Sequence, residues 1–228
     1  MRVASSVIFL LGVMACSPED GGHADHAAQD RTAPVSTEAP AGTYTLDKAH
    51  ASLIFRVDHL GFSNYTARFR RFDARLQFDP SAPAGMSVTA TIDPTSLETD
   101  FPDPDKLDFN AVLTGADWLA AAQFPEITFQ STSIELTGPD SAKMTGDLTL
   151  HGVTRPVTLD VTFNGGYAGH PMDPNARIGF SAHGALKRSA FGIALGIPPE
   201  GSKIGVSDEV AFTIEAEFSG PPLPQKAP

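Results

Sequence analysis

The sequence contains one cysteine, Cys16, so an internal disulfide bond is impossible. Basic residues are also scarce: 16 Lys and Arg stand against 27 Asp and Glu, which gives a formal net charge of −11. Nucleic-acid binding needs a basic surface for the phosphates, so this chain is a poor match for that function. We interpret the excess of acidic residues as a contribution to solubility.

Motifs of the common catalytic and cofactor sites are missing as well. The sequence has no HExxH, no P-loop and no GxGxxG. Residues 179–183 begin like a nucleophile elbow, but His183 stands where the final glycine belongs. The candidate zinc ligands His50, His59, His151 and His183 lie at predicted strand ends without the paired spacing of a zinc site. We therefore predict a protein that is not an enzyme, without catalytic residues, metal or cofactor.

The N-terminal segment has the pattern of a bacterial lipoprotein signal. Arg2 precedes an apolar run, residues 3–14, that is too short for a permanent membrane span. Residues 13–16 read Val-Met-Ala-Cys and are similar to a lipobox, in which the cysteine becomes the lipidated N-terminus. We predict a signal peptide at 1–15, a lipid anchor on Cys16 and a lipid-anchored location in the periplasmic cell envelope. Cleavage of an ordinary signal peptide near Ala15 is the alternative.

Composition divides the remaining chain into three parts. Residues 16–41 lack apolar periodicity and are rich in Ala, Pro, Asp, Ser and Thr, which is typical of a disordered tether. Residues 42–220 carry the regular apolar pattern and form one predicted domain. Residues 221–228 are Pro-rich, and we predict a disordered tail there.

The folded part alternates apolar and polar residues with period two. The clearest stretch is residues 146–163, where Leu148 and Leu150 precede a turn at Gly152 and Leu159 and Phe163 follow it. Such alternation predicts strands with one buried and one solvated face. The pattern recurs eight to ten times along the chain, which favours an all-β barrel or sandwich.

Two places depart from this alternation. The apolar parity changes between Phe69 and Phe72, which predicts a β-bulge at the arginine pair between them. Residues 103–123 lack the period-two pattern and predict a helical insert, with a capping box formed by Thr114 and Asp117. Pro125 is expected to end it.

Phenylalanine is unusually frequent, with 15 Phe against one Trp and three Tyr. Many of these rings fall on the inward face of the predicted strands. The pattern by itself favours ordinary core packing. An eight-stranded antiparallel barrel is nevertheless about the size that can hold one small ligand.

Several motifs, weak singly, occur in an order that resembles the YceI-like family of bacterial periplasmic and secreted proteins. The most specific is GDLTLHGVTRPV at 146–157. The others are YTLD at 44–47 with His50 and Phe55, HLGFS at 59–63, FPEITF at 124–129 and KRSAFG at 187–192. The resemblance spans residues 44–218.

This resemblance implies an elongated eight-stranded antiparallel barrel, lipocalin-like, with an apolar tunnel for a polyisoprenoid such as a polyprenol or an isoprenoid quinone. The implied partners are this lipid and the membrane, and a membrane redox partner is a further candidate. The alternative is a structural or envelope-stress lipoprotein with a filled core. The rim polar candidates are His59, Lys187 and Arg188. The predicted tunnel residues are Phe55, Val57, Phe62, Phe69, Phe72, Leu76, Phe78, Phe129, Leu148, Leu150, Leu159, Phe163, Phe180, Phe191 and Phe212.

Overall fold

The computed structural model describes residues 36–223. The predicted signal peptide, the predicted anchor Cys16, most of the tether and most of the tail lie outside the described residues. Within residues 36–223, no helix is long and apolar enough to cross a membrane.

In this part of the chain the alternating segments form ten β-strands, and one short α-helix interrupts them. The strands are β1 Gly42–His59, β2 Ser63–Phe69, β3 Phe72–Phe78, β4 Ser87–Ile92, β5 Leu97–Thr99, β6 Ile127–Gly138, β7 Ser141–Leu150, β8 Val153–Tyr167, β9 Asn175–Lys187 and β10 Val206–Pro222; the helix is α1 Phe109–Thr114.

Eight of these strands close into an antiparallel barrel. The order around it is β1, β10, β9, β8, β7, β6, β4 and β3, and β3 pairs again with β1. The long strand β1 closes the barrel because one of its edges pairs with β10 and the first residues of its other edge pair with β3. The last residues of that second edge pair with β2. Strands β2 and β5 extend the sheet at that end. The predicted all-β, eight-stranded antiparallel barrel is confirmed.

The β7–β8 hairpin has the faces that its alternation predicts. Leu150 and Leu159 are buried, and Thr158 is exposed. The turn between the strands needs two residues with positive φ, and His151 (53°) and Gly152 (72°) supply them. A side chain at Gly152 would also come within 2.4 Å of the Phe124 ring, so glycine is required there.

The parity change near Phe69 is real, but the predicted β-bulge is wrong. The strand stops at Phe69 and a new one begins at Phe72. The backbone N–H groups of Arg70 and Arg71 donate to the carbonyl oxygen and to Oγ of Ser96, at 3.0 and 2.9 Å. Since Ser96 satisfies these donors, the chain changes face through a break in the strand.

The insert is less helical than predicted. Only the six residues of α1 are helical, and the Asp108 side chain caps them by accepting from the N–H of Ala111 at 2.9 Å. Thr114 is the last helical residue, and its hydroxyl donates to the carbonyl of Asn110 at 3.0 Å. The predicted capping box is therefore wrong. The rest of the insert folds as turns against the barrel end.

Two clusters of buried residues lie towards opposite ends of the barrel. One surrounds Tyr44, Phe78 and Phe163, where β1 begins and β8 and β10 end. The other surrounds Leu150, Leu159 and Phe191, and Trp118 of the insert packs against it. We call these the far end and the insert end of the barrel.

Candidate functional site

The barrel interior contains a cavity of about 770 Å³. All eight barrel strands contribute side chains to its wall, together with β2, β5, α1 and the turns that follow α1. The volume lies within the range of roughly 300–1,000 Å³ that is usual for small-molecule sites. A barrel of this strand number with an apolar interior can therefore accommodate one small ligand.

The degree of burial of the inward-facing rings distinguishes a hollow interior from a filled core. Phe72, Phe129, Phe180 and Phe212 point inward but are only half-buried, because one side of each faces the void. In a core packed to native density such rings would be fully covered. The interior is therefore open along much of its length.

Thirteen of the fifteen predicted tunnel residues line the cavity. Their contact with a ligand stays a prediction. They are Phe55, Val57, Phe69, Phe72, Leu76, Phe78, Phe129, Leu148, Leu150, Leu159, Phe163, Phe180 and Phe212.

The other two predicted tunnel residues lie elsewhere. Phe62 is 86% exposed in the β1–β2 turn, where its N–H donates to the carbonyl of His59, so strand parity does not apply to it. Phe191 is 1% exposed, but it lies in a short 3₁₀ turn and packs in the buried cluster of the insert end without lining the cavity. Both placements correct the prediction.

Arg188, predicted as a rim residue, is buried. Its side chain lines the cavity and is 4% exposed. The guanidinium donates to the carbonyls of Ser207 (2.9 Å), Ile193 (3.2 Å), Leu195 (2.8 Å) and Val206 (2.8 Å). Burial lowers the pKa of Arg188, and the nearby Asp208 partly opposes this. The residue thus holds together the loop between β9 and β10.

The other two rim candidates differ in position. His59 lines the cavity near the insert end. Lys187 is exposed on the outer face of β9, because its neighbour Leu186 takes the inward position. Lys187 is therefore not part of the cavity wall.

Aromatic side chains near the insert were missed by the sequence reasoning. Tyr65 lines the cavity and meets Phe109 edge to face, with the ring centroids 5.7 Å apart. Phe101 packs on Phe109 at 5.4 Å, and Trp118 lies 5.3 Å from the Arg188 guanidinium. Tyr65 shares the inward parity of Phe69 and could have been found in this way. The insert residues follow no period that would place them.

A charged cluster lies outside the cavity, where β1 bulges away from β10. Ligand atoms of Asp47, His50 and Glu217 come within 4.8 Å of one another. The hydrogen bond from His50, followed by one from the backbone of Ala49, lowers the pKa of Asp47 to about 2. The guanidinium of Arg177 contacts the same Asp47 oxygen as His50. A cation at this oxygen opposes metal binding, so the cluster fits an ion-pair network.

Fold and cavity together define a class of protein: a closed antiparallel β-barrel with an apolar interior cavity that can hold a small molecule. Residues 44–218 match the model of the YceI-like domain. The chain belongs to the YceI-like family.

Relatives and solved structures agree with this assignment. Protein YceI of Escherichia coli O157:H7 is 39% identical over 183 residues, which cover 78% of this chain and 87% of the relative. The crystal structure of Burkholderia cenocepacia BcnA has 27% identity and a TM-score of 0.63, and the match covers 75% of this chain and 98% of BcnA. The Campylobacter jejuni YCEI protein has 30% identity and a TM-score of 0.60, with coverage of 72% and 90%.

A more distant structure shares the fold. It is a domain from Saccharophagus degradans that is described as a polyisoprenoid binding domain. Its identity to this chain is 17% and the TM-score is 0.53, with 78% of this chain and 98% of the domain covered.

Proposed function

We propose that the protein binds and carries an amphiphilic isoprenoid lipid in the barrel cavity. The ligand is a polyprenol or an isoprenoid quinone. The observation that carries this proposal is the apolar interior cavity of about 770 Å³. A protein that needed only a stable barrel would fill this volume with side chains, since close packing stabilises a core. The cavity therefore argues against the alternative of a filled-core structural lipoprotein.

The chemistry of the wall supports an isoprenoid tail. Its Phe, Leu, Ile and Val side chains remove apolar surface from water without directional bonds. Each five-carbon unit contributes at most roughly 3–4 kcal/mol, at about 0.8 kcal/mol per carbon group. Loss of motion of the tail consumes much of this gain. Membership of the YceI-like family and the fold shared with the Saccharophagus degradans domain support the same class of ligand.

The test is to identify what the protein carries. We would purify the full chain from its native envelope, extract it with organic solvent and analyse the extract by mass spectrometry. We expect an isoprenoid lipid at close to one molecule per protein. The lipid-free protein should take up added polyprenol or isoprenoid quinone. No stoichiometric lipid and no uptake would refute the proposal.

We also propose that Cys16 anchors the protein in the cell envelope as a lipoprotein. A diacylglyceryl group together with an N-acyl chain would hold the protein firmly, because several acyl chains bind far more tightly than one. Intact-mass analysis should show the acyl groups on the mature protein. Cys16→Ser should remove them and release the protein from washed membranes, whereas the neighbouring Ser17→Ala should change nothing. A Cys16→Ser protein that stays as strongly bound as wild type would contradict this anchor.

A further inference from the structure

Two strongly exposed apolar side chains lie next to each other at the insert end of the barrel. Phe62 in the β1–β2 turn is 86% exposed, and Ile204 in the loop between β9 and β10 is 81% exposed. The two segments are joined by a hydrogen bond from the N–H of Leu60 to the carbonyl of Gly205, at 2.9 Å. Single exposed apolar residues are ordinary, whereas a group of them marks an interaction surface.

A third apolar side chain joins this group. Leu195 is 50% exposed and lies in the same loop as Ile204. The carbonyl of Gly196, the next residue, accepts from the N–H of Val206 at 2.8 Å, so the two ends of the loop are in contact. We call Phe62, Leu195 and Ile204 the apolar tips.

The backbone that carries the tips is held in place by hydrogen bonds. The N–H of Gly61 donates to Oδ1 of Asp58 at 2.8 Å, which fixes the turn before Phe62. The buried Arg188 guanidinium donates to the carbonyl of Leu195 at 2.8 Å. A surface that is already fixed loses little conformational entropy when it binds.

The apolar tips lie at the same end of the barrel as one end of the cavity wall. Cavity-lining residues occur two or three positions from each tip along the chain, and they are His59, Ile193 and Val206. The exposed apolar surface therefore begins where this part of the cavity wall ends.

The size and shape of the tips fit a lipid surface better than a second copy of this chain. A stable protein interface buries about 800 Å² on each partner, which three side chains on separate turns do not supply by themselves. A phospholipid surface asks for less, because apolar side chains need only enter the bilayer just below the head groups.

The charges around the tips fit a zwitterionic lipid surface. A side chain at Gly61 would come within 2.9 Å of Cδ of Lys203, so the aliphatic part of this lysine lies against the β1–β2 turn. Lys203 is exposed, and its ammonium group can stay at the level of the lipid phosphates while its stem lies deeper. The whole chain carries a formal charge of −11, so an anionic surface would repel it overall.

We propose that the apolar tips dock the insert end of the barrel on a zwitterionic phospholipid surface. Phe62 and Ile204 enter the bilayer below the head groups, and Lys203 stays among the phosphates. The carried lipid then passes between the cavity and the bilayer without a journey through water. This inference rests on the proposed function for the carried lipid and adds the surface that receives it.

The first experiment places a tryptophan at each end of the barrel. Phe62→Trp and Met172→Trp are compared in the full chain, with phosphatidylcholine vesicles whose acyl chains carry bromine as a quencher. Met172 is the matched control because it is 92% exposed but lies between β8 and β9, at the far end. The native Trp118 gives both variants the same background.

The emission of Phe62→Trp should shift to shorter wavelength and be quenched by the vesicles, and that of Met172→Trp should stay as in buffer. Equal quenching of the two variants would overturn the docking surface, and so would no quenching of Phe62→Trp. A shift that appears without vesicles and grows with protein concentration would assign the tips to a second copy of the chain, which overturns it too.

The second experiment measures transfer of an isoprenoid quinone from the loaded protein to phosphatidylcholine vesicles at limiting vesicle concentration. The double variant Phe62→Ser with Ile204→Ser should transfer about ten- to a hundredfold more slowly than wild type, whereas Met172→Ser should match wild type. Quinone affinity in solution and the unfolding temperature should not change, because Phe62 and Ile204 neither line the cavity nor belong to a buried cluster.

Equal transfer rates for the double variant and Met172→Ser would overturn the docking surface. If the wild-type protein takes up neither quinone nor polyprenol, the proposed function itself fails. Quenching of Phe62→Trp by vesicles needs no carried lipid, so it still decides whether the tips dock.

Discussion

Narrowing the cavity distinguishes a chamber for a lipid tail from a packed core. Ala74 and Ala90 are paired across β3 and β4, and both line the cavity while only half-buried. The substitution Ala90→Leu would add three carbons to the void beside them. Because Ala90 lines the cavity, the added carbons extend into this space.

The sign of the stability change follows from this geometry. In a packed core the added carbons would cause strain of about 1–3 kcal/mol. In the cavity they cover apolar wall, so the free energy of unfolding should stay the same or rise by up to about 2 kcal/mol. A displaced isoprenoid unit loses at most roughly 3–4 kcal/mol of burial. After the cost of ordering the tail, we expect long-tailed ligands to bind about 5- to 30-fold more weakly.

The assay combines denaturant midpoints of the lipid-free protein with affinities for quinones of short and long tail. Ala185→Leu is the control, because Ala185 is exposed on the outer face of β9. Ala182→Leu gives a contrast, since Ala182 also borders the cavity but is only 8% exposed within the packed cluster of the insert end, where a larger side chain should cause strain. A large drop in the midpoint of Ala90→Leu would refute the reasoning. Equal weakening of short and long tails would do so too.

Three further predictions concern stability. Leu159→Ala should lower the free energy of unfolding in urea by about 2–5 kcal/mol, whereas the exposed Thr158→Ala should lower it by no more than about 1 kcal/mol. Equal losses would mean that the buried and exposed faces of β8 have been assigned wrongly. Arg188→Met should lower the free energy of unfolding by at least about 3 kcal/mol, because four carbonyls lose a charged donor. Lys187→Met should change it by no more than about 0.5 kcal/mol. Because the pKa of Asp47 is depressed to about 2, its ion pairs stabilise the fold fully above about pH 4 and less as the pH falls towards 2. Asp47→Asn should therefore lose at most about 2 kcal/mol at pH 7, and denaturant midpoints taken at falling pH should converge with wild type.

Local sequence determined which face of each strand points inward. A period of two places alternate side chains on opposite faces, so thirteen of the fifteen predicted tunnel residues line the cavity. The same rule explains the two misplaced rings. Phe62 lies in a turn and Phe191 in a 3₁₀ helix, where strand parity has no meaning.

Ordered motifs determined the family and, through it, the barrel. GDLTLHGVTRPV is short, yet it specifies a hairpin whose turn needs two positive φ values and whose glycine leaves no room for a side chain beside Phe124. Such local demands can be read from a sequence because the residues that meet them are neighbours along the chain.

The tertiary structure alone decided whether the barrel is filled or hollow. Alternation specifies a direction for each side chain but not the distance to the opposite wall. That distance depends on closure, which pairs β1 with β10 although Phe55 and Phe212 lie far apart in sequence. Closure of the barrel also decides which polar side chains become buried. Arg188 becomes buried because carbonyls from the loop that follows it and from the start of β10 converge on its guanidinium.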